Sequence, residues 1–310
     1  APIVKTKTSS RPKRKSKSTN PLNAIVFLSL ALIGALGFGI LVFGTSKQHH
    51  KVGSTSAKIS TLFEKTANLK RAEKIEFWSA LLLENPDTLS PLKHTQPKIN
   101  DSAPLFPSGY NCTTYVETVA ALSRSETEFE LADRIVEIRY KSGNIGYFSR
   151  NHFPELDWIP NNQEAGILKD ITISTSKKAG ILASHATKQV DKYAWYKAQL
   201  NKRRQIASES EHPPFTDPVN VRVPYIPISL MTDALEHIPS GTVLNVVREN
   251  KEGYPTLITH QGFLVRKDGQ PFFRHASSTQ RISEVPMANY ISNSLKMPWK
   301  VLGFNLNSIE

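Results

Sequence analysis

Cysteine is almost absent from this chain of 310 residues: Cys112 is the only one, and it has no intrachain partner. That excludes a disulfide scaffold. No internal repeat, Walker loop or dinucleotide-binding glycine pattern is present, and the glycines clustered at 34–39 lie inside an apolar run. Acidic residues are missing from positions 1–20, where Lys5, Lys7, Arg11, Lys13, Arg14, Lys15 and Lys17 stand. Those seven account for most of the net charge of +12 and leave +5 over the other 290 residues. A nucleic-acid-binding protein is expected to carry its basic excess on the folded domain, so no nucleic-acid partner is expected. Core material is not lacking: 39% of residues are hydrophobic and 9% aromatic, which excludes wholesale disorder.

Long apolar runs are also missing, with one exception. Residues 24–44 read AIVFLSLALIGALGFGILVFG without a charge. As a helix they rise about 1.5 Å each, roughly 32 Å in all, which matches a hydrocarbon core of about 30 Å. The basic flank 1–23 precedes the run, so the positive-inside rule predicts a cytoplasmic tail, a single transmembrane signal anchor over 24–44 and export of the residues beyond it. The expected location is the cytoplasmic (inner) membrane, with residues 57–310 on the periplasmic side. Residues 45–56 are polar and read as a linker.

The exported part starts with helical patterns over 57–84, from Cys112 onward and over about 126–140. Residues 86–109 and 144–170 read as irregular, because prolines interrupt both. Residues 186–207 read as a charged helix. Strand-like segments come next at 219–225, 242–248, 256–266, 271–277 and 299–306, with short helices near 229–237 and 283–292. Helices first and strands afterwards predict an α+β fold.

Cys112 stands where PSGYNC breaks the chain and TTYVETVAAL begins a helical period. In the first turn of a helix, unpaired N–H groups and the macrodipole favour a thiolate, which predicts a lowered thiol pKa and a nucleophile; the alternative is a buried small hydrophobe. A nucleophile needs a base. The segment TLITHQGFLVRKDGQPFFRHASS is a hairpin with Asp268-Gly269 at its turn. Lys267 then faces Gln270, His260 faces Ser277, and His275 faces Gly262. His260 and His275 become diagonal neighbours on one face, about 7–8 Å apart and within reach of one another. Gly262 leaves room beside His275. His260 is the expected general base, with His275, or Ser277, orienting it.

The runs NCTTYVETVAAL, EIRYKSGNIGYFSRNHFPELDWIPNN and THQGFLV…FFRHASS resemble the N-acetylmuramoyl-L-alanine amidase-like family, grouped with the NlpC-type, papain-like cysteine hydrolases of bacterial cell walls. The resemblance extends from about Cys112 to Gly303. It implies a helix-start cysteine packed on an antiparallel sheet that carries a histidine and a third polar residue, here Cys112, His260 and His275. It implies amide bonds of peptidoglycan stem peptides as substrate, and no cofactor. Two departures stand out: Asn111 replaces the family's more usual aspartate, and the Pro-rich 86–109 segment replaces a tight Gly-Thr-Pro-Tyr-like stretch. Tyr110 is a candidate oxyanion-side hydroxyl. Arg150, His152, Asp157, Trp158 and Asn161 form a dense polar block with one aromatic, able to bind a peptide carboxylate and stack on a sugar. The same residues also fit a self-satisfied loop with Trp158 plugging the core. The rival readings are a catalytically silent peptidoglycan-binding module and a zinc amidase built on His152, His260 and His275; no HExxH-like spacing supports the latter.

Overall fold

A computed structural model describes residues 58–94, 104–107, 109–202, 214, 217–277 and 281–310. The expected basic tail, membrane anchor and linker lie outside the described residues. Among the described residues no helix is long and apolar enough to cross a membrane.

The expected first helix is two: α1 over 58–66 and α2 over Arg71–Glu84. A turn separates them, in which Thr66 Oγ1 bonds to the Phe63 carbonyl (3.0 Å) and the Lys70 N–H to Glu73 (2.7 Å), so both helix ends are satisfied locally. Next comes α3, Cys112–Arg124, and then α4, Leu131–Arg139. Helix α3 is the hub of the helical layer, with Tyr115, Val116, Val119 and Leu122 all buried. Glu117 and Arg139 join α3 to α4 by an ion pair of 2.8 Å with both side chains nearly inaccessible. Arg139 also donates to the Pro104 carbonyl (2.9 Å), which ties the segment before Cys112 to the same core.

The segment 144–170 is more ordered than its prolines suggested. A π-turn over Pro154–Trp158 runs into α5, Ile159–Glu164, and then into strand β1, Leu168–Asp170. Pro154 and Pro160 both sit in first-turn positions, where a missing N–H costs no helical hydrogen bond. Helix α6 covers Thr172–Lys178. The helix expected over 186–207 is instead strand β2, Ser184–Val190, followed by α7, Lys192–Lys202. Asp191 makes the break by accepting the Ala194 N–H (2.8 Å).

The remaining strands are β3 (Val219–Pro227), β4 (Thr242–Arg248), β5 (Ile258–Lys267), β6 (Gln270–Ala276), β7 (Ile282–Pro286) and β8 (Val301–Ile309). Helix α8 (Met231–Ala234) precedes β4, and α9 (Met287–Leu295) follows β7, so the helix expected over 283–292 is half strand. The sheet order is β2-β3-β8-β4-β5-β6-β7, with β1 added to β8 and every pairing antiparallel. An α+β architecture with one antiparallel sheet results.

Alternation gives this sheet two apolar faces. One carries Val243, Val247, Phe263 and Val265 and packs on α2–α4, with Tyr115 edge-on to Phe263. The other carries Leu244, Val246, Leu264, Phe273 and Phe304 and packs on Met231 of α8 and Ile291 of α9. Replacing Glu117 by Ala leaves the Arg139 charge buried. The expected loss is about 3–5 kcal/mol, read as a lower urea midpoint with unchanged slope.

Candidate active site

Cys112 is the first residue of α3, as its sequence context predicted. Asn111 is the N-cap: its side chain accepts the Thr114 N–H (2.9 Å) while its own N–H donates to Thr114 Oγ1 (3.0 Å). Asn in place of Asp therefore has a local structural use.

The hairpin has the register read from its turn. Lys267 faces Gln270, and pairing runs to Phe263–Arg274. Asp268 and Gly269 both have positive φ (49° and 78°), as a two-residue turn with matching twist requires. Gly262 lies against His275: a Cβ there would stand 2.8 Å from His275 Cβ and 2.6 Å from the Arg274 carbonyl oxygen. With that space open, His260 Nε2 and His275 Nδ1 come to 2.9 Å, rings nearly perpendicular, and His275 stacks on Phe273. Nothing in the sequence context of Tyr290 in α9 pointed to it, yet it closes this side, 5.8 Å from the His275 ring centroid.

The two histidines project from the α9 face of the sheet, whereas α3 packs on the opposite face. Cys112 meets the strand between the two. Just past the end of β5–β6 pairing, the Gln261 backbone N–H bonds to the sulfur. The thiol also lies within Coulomb range of the Tyr290 phenol, whose pKa is pushed up to about 12, mainly by burial. His260, His275 and Tyr290 thus gather around the start of β5, and the thiol meets the same strand at Gln261.

Electrostatically the site departs from the expectation of a ready thiolate. Burial pushes the Cys112 thiol above its ordinary value and outweighs the backbone N–H groups of Gln261, Thr113 and Cys112, which favour the anion. His260 is held down to about 3 by burial, with the charges of His275 and Arg248 adding to it. His275 is lowered by burial too. At neutral pH the resting groups are a neutral thiol and two neutral imidazoles.

The middle block forms a support beside this centre. Asp157 accepts Lys192 Nζ (2.9 Å) and the Phe153 N–H (3.2 Å), and Asn161 donates to Asn151 (2.6 Å). Trp158 is buried in the core. His152 bonds to the Tyr147 carbonyl (2.9 Å) against Trp195, and burial lowers it to about 4. Arg150 is half-buried and bridges the Tyr140 backbone. Tyr110 is buried edge-on to Tyr115, and Ser277 is half-buried with its N–H on the Arg281 carbonyl (2.7 Å). None of these contacts reaches Cys112. Glu155, unremarkable in sequence, does join the block to the site. Its buried carboxylate accepts Thr256 Oγ1 (2.6 Å) and the Leu257 N–H (2.7 Å), fixing the chain just ahead of His260. Among the described residues no three His, Cys, Asp or Glu side chains are grouped to hold a metal ion.

Two outcomes are expected. Alkylation of Cys112 by iodoacetamide should inflect above the free-thiol value of about 8.5, without an acidic shoulder, when rate is plotted against pH. Gly262→Ala should force β5 and β6 apart and cost about 1–3 kcal/mol, measured by thermal unfolding.

Comparison with known proteins gives the chain's family and its structural relatives. The crystal structure of a protein from Legionella pneumophila str. Philadelphia 1 superposes with a TM-score of 0.67 at 25% identity, covering 83% of this chain and 95% of that one. That of an N-acetylmuramoyl-L-alanine amidase from Bacteroides uniformis gives a TM-score of 0.50 at 25% identity, over 64% of this chain and 83% of its own. No functionally curated protein matches. The sequence profile described as N-acetylmuramoyl-L-alanine amidase-like matches residues 79–297, from α2 to the end of α9 and across the whole hairpin, and the chain belongs to that family.

Proposed function

We propose that this protein is a cysteine-dependent hydrolase, of the papain-like, NlpC type, that cleaves an amide bond in peptidoglycan stem peptides. The observation that carries the reading is the 2.9 Å contact between His260 Nε2 and His275 Nδ1, with the Cys112 sulfur on the backbone of the next residue, Gln261. With its proton on Nε2 and donated to His275, His260 presents a lone pair at Nδ1. His260 Nδ1 makes no hydrogen bond among the described residues, so it is free to act as a base.

Cys112 Sγ attacks the amide carbonyl carbon and a C–S bond forms. The thiol proton passes to His260, and the carbonyl π electrons move onto oxygen. The Cys112 N–H, at the positive end of α3, faces the oxyanion. Collapse breaks the C–N bond, and His260 returns the proton to the leaving amine. Water, deprotonated by His260, then hydrolyses the thioester and restores the thiol. Because thiol and imidazole rest neutral, proton transfer accompanies attack rather than preceding it.

The same reading takes residues 24–44 as the anchor that keeps the domain on the side of the membrane where peptidoglycan lies. The bond cut is the muramoyl–L-alanine amide or a peptide link within the stem. Digestion of purified sacculi, with mass spectrometry of the released fragments, distinguishes them. Wild type should release stem-peptide products, and Cys112→Ala and His260→Ala should each reduce the rate at least about a thousandfold. Release that persists in Cys112→Ala overturns the nucleophile. Retention on sacculi without products, unchanged in Cys112→Ala, identifies a binding module instead.

A further inference from the structure

Next to Cys112 begins a line of buried polar side chains that none of the chemistry above uses. Thr113 Oγ1 donates to Gln261 Oε1 (2.8 Å). Gln261 Nε2 donates to Asn245 Oδ1 (2.8 Å), Asn245 Nδ2 to Asn305 Oδ1 (3.0 Å), and Asn305 Nδ2 to the Asp170 carboxylate (2.8 Å). Gln261, Asn245 and Asn305 are direct cross-strand partners on β5, β4 and β8, so the line crosses the sheet at right angles to the strands. All three are at most 1% exposed. Apolar side chains at these positions would avoid the desolvation of three amides.

The direction of donation is the same at every link and ends on an anion that accepts only. A chain of this kind is mutually polarised and cannot reverse without leaving a buried donor facing a donor. Its first member is the point of interest. The Thr113 hydroxyl proton is committed to Gln261, so in the 3.9 Å contact between Thr113 Oγ1 and Cys112 Sγ the thiol is the donor.

We propose that this one-way relay from Thr113 to Asp170 positions the nucleophile: it locks the first turn of α3 onto β5 and, by withholding the Thr113 proton, holds the Cys112 S–H on Thr113 and the sulfur against Gln261, beside His260. Gln261 is the hinge of the device, since its side chain clamps Thr113 while its backbone N–H meets the sulfur. Thr113, Gln261, Asn245, Asn305 and Asp170 are positioning residues, acting through Cys112. The proposal rests on reading Cys112 as the nucleophile. The titratable or charged groups that bear on this region are Tyr290 of α9, within range of the thiol, and His275 and Arg248, which act on His260. None belongs to the relay, so they form a constant background to the test.

The test is the pH dependence of iodoacetamide alkylation of Cys112 in the full chain. Gln261→Met keeps the volume but frees the Thr113 hydroxyl to turn toward the sulfur, where it stabilises the thiolate. The inflection should fall by about 0.5–1 pH unit. Asp170→Asn removes the anion from the far end of the relay and should lower the inflection in the same direction, which covers the case in which Gln261→Met does not fold. Thr113→Ser keeps the hydroxyl and should leave the wild-type value. In Thr113→Val/Gln261→Met no hydroxyl remains to turn, so the inflection should return to within about 0.2 unit of Thr113→Val alone. A downward shift that persists in the double variant reports loosened packing and overturns the proposal; so does an inflection that ignores both Gln261→Met and Asp170→Asn. An enzyme that digests sacculi but lacks these shifts refutes the relay and keeps the function. The shifts without digestion refute the function and keep the relay.

Discussion

The site depends on a close approach of two strands at Gly262. Any side chain there would collide with the Arg274 carbonyl, the Phe273 ring and His275 Cβ at once. Because none is present, β6 lies close enough for His275 to reach across to His260 while stacking on Phe273. Arg274, next along β6, points the other way and ties the hairpin to α2 through Ser79 and to β7 through Glu284. One missing methyl group therefore allows the histidine pair on one face and the anchoring of its strand on the other.

Around that centre the protein excludes water more than it supplies charge. Burial raises the Cys112 thiol and depresses His260, both of which oppose the thiolate–imidazolium pair that a helix N-terminus alone would favour. The macrodipole contributes typically less than about 1 kcal/mol at an exposed end, and desolvation of a buried charge readily exceeds that. The same depressed histidines set the acid side of the stability curve. An unfolded histidine binds a proton below about pH 6.5, whereas folded His152 and His260 do so only near 4 and 3. Their contribution is full above about pH 6.5 and drains away as pH falls toward those values.

The polar residues that hold the site together lie mostly one step away from those that sequence reasoning selects. Asn161 is engaged within its own block, Trp158 is buried in the core and Asp157 is held by Lys192 of α7, while Glu155 in the same turn reaches across to the start of β5. Tyr290 and Gln261 carry no local signature: one is an aromatic on an amphipathic helix, the other a glutamine in a strand. Their positions became meaningful only once α9 and α3 were packed on opposite faces of the sheet.

The features legible in sequence obey short-range rules. A β-hairpin has a period of two and a turn whose residues need positive φ, so Asp268-Gly269 sufficed to bring His260 and His275 together. A helix start shows as a chain break followed by a helical period, so PSGYNC before TTYVETVAAL located Cys112 in a first turn. The α+β order of elements was likewise readable from composition. Tertiary partners decided the rest. Residues 184–190 are a strand because β3 pairs with them, and 282–286 because β6 does, whatever their local preference. The protonation of the thiol was decided by burial, and the relay from Thr113 to Asp170 by the alignment of three strands distant in sequence, since both depend on which groups share a dry interior rather than on which residues are neighbours in the chain.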